Sequence, residues 1–198
     1  MISRAESAAA TRRTLLGAAA ELLDAGGTEA VTLREVGARA GVSRGAPYRH
    51  FADKESLLTA IGVEAWREVG AGTAALRADA GLSPADRLRR GLAELIAIGR
   101  ARPHLYRLMF SNPAGDPGAM ARAAQHSQDE FLAIVAALVG DKDARRYGGL
   151  LMTSVHGVIG MEVSGQLTVE KWQATAEELV GALVALVADP NRPAWPGA

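Results

Sequence analysis

Hydrophobic residues recur along most of this chain with the 3.6-residue period of an α-helix, while Val and Ile are too scattered to form alternating strands. The first apolar stripe consists of Leu15, Leu16, Ala19, Leu22 and Leu23. The pair Gly26-Gly27 follows this stripe and should end the helix. The pattern as a whole predicts an all-α protein with about nine helices.

A short second helix and a short third helix are predicted on either side of a turn at Gly41. Thr32 and Glu35 have the spacing of a capping box, so the second helix should begin there. Gly41 supplies a left-handed turn residue, and Ser43 is a suitable N-cap for the third helix. The small residue Gly37 should let the two helices cross closely. Two short helices joined in this way are typical of a helix-turn-helix.

The rest of the chain predicts further helices with recognisable start signals. Asp53 should cap a fourth helix, and Ser83 followed by Pro84 should open a fifth. Later helices are expected at His104–Ser111, over about twenty residues up to Gly140, from about Asp143 to Leu167, and at Thr168–Ala188. We place a helix-turn-helix domain at residues 1–69 and a helical domain at 70–198, with a loop at 112–118 and a loosely held tail at 189–198.

Composition narrows the class of protein. The 198 residues are 48% hydrophobic, and 22 Lys and Arg are balanced by 22 Asp and Glu, which excludes a basic nucleic-acid coat and a disordered polymer. The absence of Cys excludes disulfides, Cys-ligated metals and thiol catalysis. The longest uncharged stretch is too short to span a membrane, and the N-terminus does not resemble an export signal, so we expect a soluble cytoplasmic protein.

Charge is unevenly distributed within this neutral chain. Between Thr32 and Lys54 there are five basic and two acidic residues, a balance of +3. A locally basic element on a neutral protein favours contact between that element and nucleic-acid phosphates, while the rest of the protein does not bind nucleic acid non-specifically. The predicted partner of the helix-turn-helix is therefore double-stranded DNA.

The run from Val31 to Leu58, VTLREVGARAGVSRGAPYRHFADKESLL, resembles the DNA-binding domain of the TetR family of transcriptional regulators. The resemblance implies phosphate contacts from Thr32, Ser43, Tyr48, His50 and Lys54. It implies major-groove contacts from Arg44, Gly45, Ala46 and Arg49. Pro47 departs from the pattern, because many members have Leu there, and at the fourth helical position it would remove one backbone donor.

The C-terminal half also resembles a TetR-type domain, the kind marked by a Trp and a His-Gly pair. The resemblance lies in His104–Ser111 and in Val155–Leu167, which contains His156-Gly157. Met152 stands where the Trp usually lies. The resemblance implies ligand sensing and dimerisation.

Residues on the last two long predicted helices argue for a homodimer independently. They carry more apolar area than one small domain can cover, which requires either a partner surface or an unusually large core. The predicted interface residues are Leu151, Val155, Val158, Ile159, Leu179, Val180, Leu183, Val184 and Val187. Leu150, Val163 and Leu186 belong to the same apolar set, and Gly149, Gly157 and Gly160 should permit close approach.

An apolar cavity for a small hydrophobic effector is the remaining candidate site. Its predicted lining is Trp66, Leu95, Ile96, Leu108, Met109, Phe110, Met120, Phe131, Met152 and His156, with Leu92 beside them. Such residues at helical spacing also suit a plain core. Three unlinked His residues do not predict a metal site, and no cofactor is expected.

No enzyme motif is present with its required context, so we do not expect catalysis. The favoured function is a ligand-responsive repressor that binds a palindromic operator as a homodimer. The alternatives are a TetR-like activator, a regulator without a ligand, and a helical small-molecule carrier that does not bind DNA.

Overall fold

The computed structural model describes residues 3–111 and 116–192, and this part of the chain forms ten helices without a strand. The all-α prediction is confirmed. The helices are α1 (Arg4–Ala30), α2 (Leu33–Arg39), α3 (Ala46–His50), α4 (Lys54–Ala78), α5 (Pro84–Ala101), α6 (Pro103–Met109), α7 (Pro117–Val139), α8 (Asp141–Val163), α9 (Val169–Trp172) and α10 (Ala176–Ala188).

The described residues form two compact units, and α4 and α7 contribute residues to both. The first unit contains the chain up to Trp66 together with Arg102–Ala123, and the second contains Arg67–Ala101 and the chain from Ala124 onwards. This division differs from the predicted boundary at residue 69, because α6 and the start of α7 pack with the N-terminal helices. Sequence periodicity marks each helix but does not indicate which distant helix it packs against.

The first unit is built around α1, which packs on α2 and α6. Its core includes Leu15, Leu23, Val36, Leu57 and Leu105, all of which are buried. The predicted stop at Gly26-Gly27 is seen as a kink, since both residues leave helical geometry and Gly27 has a φ of 68°. The His104 ring covers this kink, and a Cβ on Gly27 would lie 3.0 Å from its Nδ1 atom.

The second unit has a core of three helices, α5, α8 and α10. Leu92 and Ile96 of α5 and Leu151 and Val155 of α8 are buried, and α5 and α8 cross closely at Gly99. A Cβ on Gly99 would lie only 2.4 Å from Cγ2 of Ile159. Arg100 joins the three helices at one end through ion pairs to Glu162 at 2.6 Å and Glu177 at 2.9 Å.

In the C-terminal half, the predicted helix at 168–188 and the predicted loop at 112–118 had wrong boundaries. The expected helix Thr168–Ala188 is divided into α9 and α10 at Gln173, whose φ of 52° is left-handed, and Thr175 begins α10 with a complete capping box. The predicted loop 112–118 is shorter than expected because α7 already begins at Pro117. The first four residues of that loop, 112–115, and the tail residues 193–198 lie outside the described residues.

Candidate nucleic-acid interface

The turn between α2 and α3 has the geometry that the sequence predicted. Gly41 has a φ of 65°, and the Val42 N–H donates to the Gly37 carbonyl at 3.2 Å. A Cβ on Gly37 would lie 2.9 Å from Cγ of Pro47, so a side chain there would force α2 and α3 apart. The expected close crossing at Gly37 is confirmed.

The third helix begins later than predicted. Ser43 lies in the turn, where its carbonyl accepts the Ala46 N–H at 2.8 Å, and Gly45 occupies the N-cap position without a side-chain cap. Pro47 is thereby in the first helical turn, where its missing N–H would have no intrahelical partner. Because α3 begins at Ala46, Pro47 does not remove an intrahelical hydrogen bond, as it would at the fourth helical position.

Side-chain caps hold the two neighbouring helix starts. The Thr32 hydroxyl accepts the Glu35 N–H at 3.2 Å, but the predicted capping box is only half formed because Glu35 pairs with Arg34. Asp53 caps α4 as expected, since its carboxylate accepts the Ser56 N–H at 2.7 Å. Both caps lie close in sequence to α3 and give the surrounding backbone a defined path.

Most of the predicted DNA-binding side chains lie on the surface of the first unit. The exposed ones are Thr32, Ser43, Arg44, Gly45, Tyr48 and Arg49, and the half-buried ones are His50 and Lys54. Tyr48 is 58% exposed, although it is a large aromatic residue that could have packed in the core. Ala46, the first residue of α3, is only 3% exposed, so its prediction as a major-groove contact was wrong.

The cations of this surface fall into two groups. Arg34 pairs with Glu35, and Arg39 pairs with Glu21 at 3.2 Å, so both guanidinium groups have an internal counter-charge. Among the described residues, Arg44 and Arg49 have no carboxylate partner. A Cβ on Gly45 would lie 3.9 Å from Nη1 of Arg49, which places that guanidinium close to the N-terminal end of α3.

Lys54 lies in a cleft that the sequence did not indicate. The cleft has a volume of about 180 Å³ and is lined by Thr28, Glu29, Lys54, Glu55, Leu58, Leu108 and Ser111. Lys54 Nζ lies 3.7 Å from the Glu29 carboxylate, which is almost fully exposed. No sequence signal links these two residues, because α1 and α4 meet only in the folded unit.

The predicted ligand-binding residues are divided between the two units. In the first, Trp66, Leu108, Met109 and Met120 are buried, and the Trp66 indole donates to the Met109 carbonyl at 3.0 Å. Phe110 is partly exposed and packs against both Trp66 and Tyr106. Burial raises the pKa of the Tyr106 hydroxyl to about 12, so this aromatic cluster is neutral at physiological pH.

The other predicted ligand-binding residues belong to the second unit. Leu95 and Ile96 are buried in α5, and Phe131 and Met152 are half-buried. His156 is exposed on α8, so it does not lie inside the core of this unit. Within the described ranges, no three His, Asp or Glu side chains are grouped closely enough to hold a metal ion.

Six of the predicted dimer residues were wrong. Leu151, Val155, Ile159, Val180, Val184 and Val187 are all at most 2% exposed. They form the core of the second unit with α5, so they cannot also face a partner. The apolar pattern did not show which side of α10 is buried, because after Glu177 and Glu178 in its first turn the helix consists only of Leu, Val, Ala and Gly.

The opposite faces of α8 and α10 carry the apolar surface that the unit leaves uncovered. Leu150, Val163, Leu179 and Leu186 are exposed, and Leu186 reaches 69%. Val158 and Leu183 are half-buried beside them. Gly149, Gly157 and Gly160 have open space where a Cβ would be, so backbones could approach closely along α8.

The helix-turn-helix displays two guanidinium groups without a carboxylate partner in the described residues, Arg44 just before its last helix and Arg49 on it, and this arrangement defines a DNA-binding protein of the helix-turn-helix class. The chain belongs to the TetR family: the family model described as "Bacterial regulatory proteins, tetR family" matches residues 15–61. The model described as "Tetracyclin repressor-like, C-terminal domain" matches residues 88–187. Members of this family are transcriptional regulators and not enzymes, and we assign this chain to that class.

Solved structures share the fold over nearly the whole chain. A protein of unknown function from Rhodococcus sp. RHA1 is 26% identical, with 90% of this chain and 93% of that one covered and a TM-score of 0.76. A TetR transcriptional regulator from the same organism is 24% identical, with 91% and 96% covered and a TM-score of 0.60. SCO7222, a TetR from Streptomyces coelicolor, is 22% identical, with 89% and 94% covered and a TM-score of 0.66.

No curated protein matches the sequence. In the described residues, no helix is both long and apolar enough to cross a membrane.

Proposed function

We propose that this protein is a repressor that binds a palindromic operator as a homodimer and is released by a small hydrophobic molecule. The observation that carries the DNA-binding part is the pair Arg44 and Arg49, which lie exposed on and beside α3 with no carboxylate partner in the described residues. Each could make a bidentate contact with guanine O6 and N7, worth about 1–3 kcal/mol of discrimination.

The other polar side chains of this surface suit contacts with the DNA backbone. Tyr48, Ser43 and His50 can donate to phosphate oxygens, and the Thr32 hydroxyl keeps its own hydrogen for the same purpose while it caps α2. Lys54 at the start of α4 adds a point charge. Such contacts position the protein on the duplex but carry no sequence information.

The exposed apolar faces of α8 and α10 support the homodimer. Leu150, Leu179 and Leu186 would be covered if the same two helices of a second copy packed against them around a two-fold axis. The symmetry would repeat α3 in two major grooves, which for a palindromic site lie about 34–36 Å apart or at a multiple of that distance.

The proposed effector would bind partly covered apolar side chains. Phe131 and Met152 of the second unit are apolar and only half-buried, which suits contact with a hydrophobic molecule. Binding would favour a dimer with a different separation of the two α3 helices. A coupling of about 1–3 kcal/mol would change operator affinity about 5- to 150-fold.

A binding titration against the duplex upstream of the protein's own coding region tests the proposal. Wild-type protein should bind with sequence selectivity and a steep dependence on salt. Arg44→Ala should lower the selectivity, while Arg90→Ala, which removes an exposed charge from the second unit, should not. A protein with neither selectivity nor salt dependence would be the helical carrier, and operator binding that no hydrophobic metabolite alters would favour a regulator without a ligand. Raised transcription on operator binding would identify an activator.

A further inference from the structure

The cations of the first unit can be sorted by whether the fold already neutralises them. Arg34, Arg39, Lys54 and Arg102 each have a carboxylate within 4.0 Å. Arg44 and Arg49, which the proposed function assigns to DNA, have none among the described residues. Because a charge without an internal partner is the one most available to an external anion, we looked for other unpaired cations near α3.

Arg12 of α1 meets this condition. Its guanidinium carbon lies 5.1 Å from the centre of the Phe51 ring, and in the described part of the chain it has no carboxylate partner. Phe51 is the C-cap residue of α3 and is buried, so Arg12 lies over the segment that joins α3 to α4. Tyr48, His50 and Lys54, the predicted backbone contacts, are within three residues of Phe51 in the sequence.

The cation–π contact with the Phe51 ring restricts the position of the Arg12 guanidinium. The Arg12 side chain is exposed, and a guanidinium held on an aromatic face keeps its planar donor edge for a phosphate. The ring thus orders the side chain before DNA arrives, which reduces the entropy lost on binding.

We propose that Arg12 binds a DNA phosphate next to the recognised half-site, so that α1 contributes to an interface otherwise confined to the helix-turn-helix and the start of α4. The inference rests on the proposed DNA-binding function. Neither the apolar stripe of α1 nor the +3 charge of residues 32–54 points to Arg12, which lies outside both.

The salt dependence of binding to a mixed-sequence duplex of about 30 base pairs separates this role from simple packing on Phe51. Arg12→Met keeps an apolar stem over the ring and removes only the charge. Each bound dimer would lose two phosphate contacts, one per chain, which should reduce the slope of log K against log salt by about 1.8, equivalent to about a 12-fold smaller loss of affinity between 50 and 200 mM salt. Arg12→Lys should keep the wild-type slope.

Arg13→Met is the matched control, because Arg13 is also exposed and unpaired in the described residues but makes no contact with Phe51. Its slope should stay close to that of the wild type. An unchanged slope in Arg12→Met, or an equal decrease in both Met variants, would overturn the specific contact. A wild-type protein that binds no duplex would instead overturn the proposed function itself.

Discussion

The recognition helix α3 and the last helix α10 leave opposite kinds of surface uncovered. Around α3, Tyr48 and Arg49 lie exposed with hydrogen-bond donors directed at solvent, whereas α10 exposes Leu179 and Leu186. Exposed cations that have no internal counter-charge suit an anionic partner. Exposed leucines beside open glycines suit a second apolar surface. One chain therefore presents two docking surfaces whose chemistry predicts two different partners.

The largest effect should come from placing a charge on the apolar surface. Leu186→Arg would bury an uncompensated charge in the proposed dimer, at a cost of about 3–5 kcal/mol, so the dimer dissociation constant should rise more than about 100-fold. Sedimentation velocity at micromolar concentration should then detect single chains.

Two control variants test whether the exposed face of α10 is the one that forms the dimer interface. Ala97→Arg, on an exposed position of α5, should leave the dimer intact. Val184→Ala, in the buried face of α10, should lower the free energy of unfolding by about 2 kcal/mol through a cavity and leave the interface itself unchanged. A Leu186→Arg protein that still sediments as a dimer would remove α10 from the interface.

The polar surface should divide into residues that read bases and residues that anchor the backbone. Arg49→Ala should weaken binding to the operator about 5- to 150-fold and affect mixed-sequence DNA much less. Lys54→Ala should weaken both alike, because a phosphate contact is independent of sequence. Competition titrations with the two duplexes measure the ratio of operator affinity to mixed-sequence affinity for each variant. Equal ratios for Arg49→Ala and Lys54→Ala would contradict the division into base-reading and backbone-anchoring residues.

Substitution of two glycines by alanine tests a close helix crossing at Gly37 against an open helix face at Gly149. Gly37→Ala should lower the free energy of unfolding of the first unit by about 1–3 kcal/mol, since its Cβ would meet Pro47. Gly149→Ala, with nothing near its Cβ, should raise stability by about 0.5–1 kcal/mol when measured in the monomeric Leu186→Arg background. Urea unfolding measures both, and a tolerated Gly37→Ala would show that α2 and α3 can separate without cost.

Removal of the Glu29 carboxylate should free Lys54 for DNA. We expect Glu29→Gln to raise the affinity for mixed-sequence DNA by about 2- to 5-fold at low salt, within the range of an exposed ion pair. Glu55→Gln makes the same change of net charge in the same cleft but has no ion pair with Lys54. Fluorescence anisotropy titrations should therefore separate the two variants, and an equal gain from both would reduce the effect to net charge.

The smallest expected effect concerns the pH dependence of stability that arises from the ion pair between Arg77 and Glu130 in the second unit. The hydrogen bonds from Arg77 lower the pKa of Glu130 below its usual value. This pairing stabilises the fold above the ordinary Glu pKa and is lost as the pH falls through the lowered value. In Arg77→Met the free energy of unfolding should therefore fall slightly less steeply as the pH is lowered, and the change should be small because Arg77 is half exposed and its charge is screened by solvent. An unchanged pH profile of urea unfolding would show that the pair adds nothing.

Local chemistry made parts of the fold predictable. The caps at Thr32, Asp53 and Ser83 and the left-handed turn at Gly41 involve residues within a few positions of each other, so their spacing alone identified them. The start of α3 was misplaced because two local signals compete there. Ser43 is a good N-cap, but Pro47 is accommodated only in the first turn.

The candidate site was predictable to the same degree. The exposed donors on α3 follow from the pattern of a short helix with few bulky apolar residues. Arg12 and Glu29 were missed as members of this surface. Arg12 contacts Phe51 and Glu29 pairs with Lys54, and each of these partners lies more than twenty residues away in the chain. Ala46 was misassigned, since the burial of its side chain depends on which other elements pack against α3.

What the sequence alone determined is the set of helices, the turn at Gly41 and the concentration of positive charge around α3, because periodicity, caps and charge are properties of neighbouring residues. Only the tertiary structure decided which side of α10 is already covered and which cations are already neutralised. A helix that is apolar on every side beyond its first turn has no preferred buried side until another helix packs against it, and an arginine such as Arg39 has no counter-ion until the chain brings a distant carboxylate close.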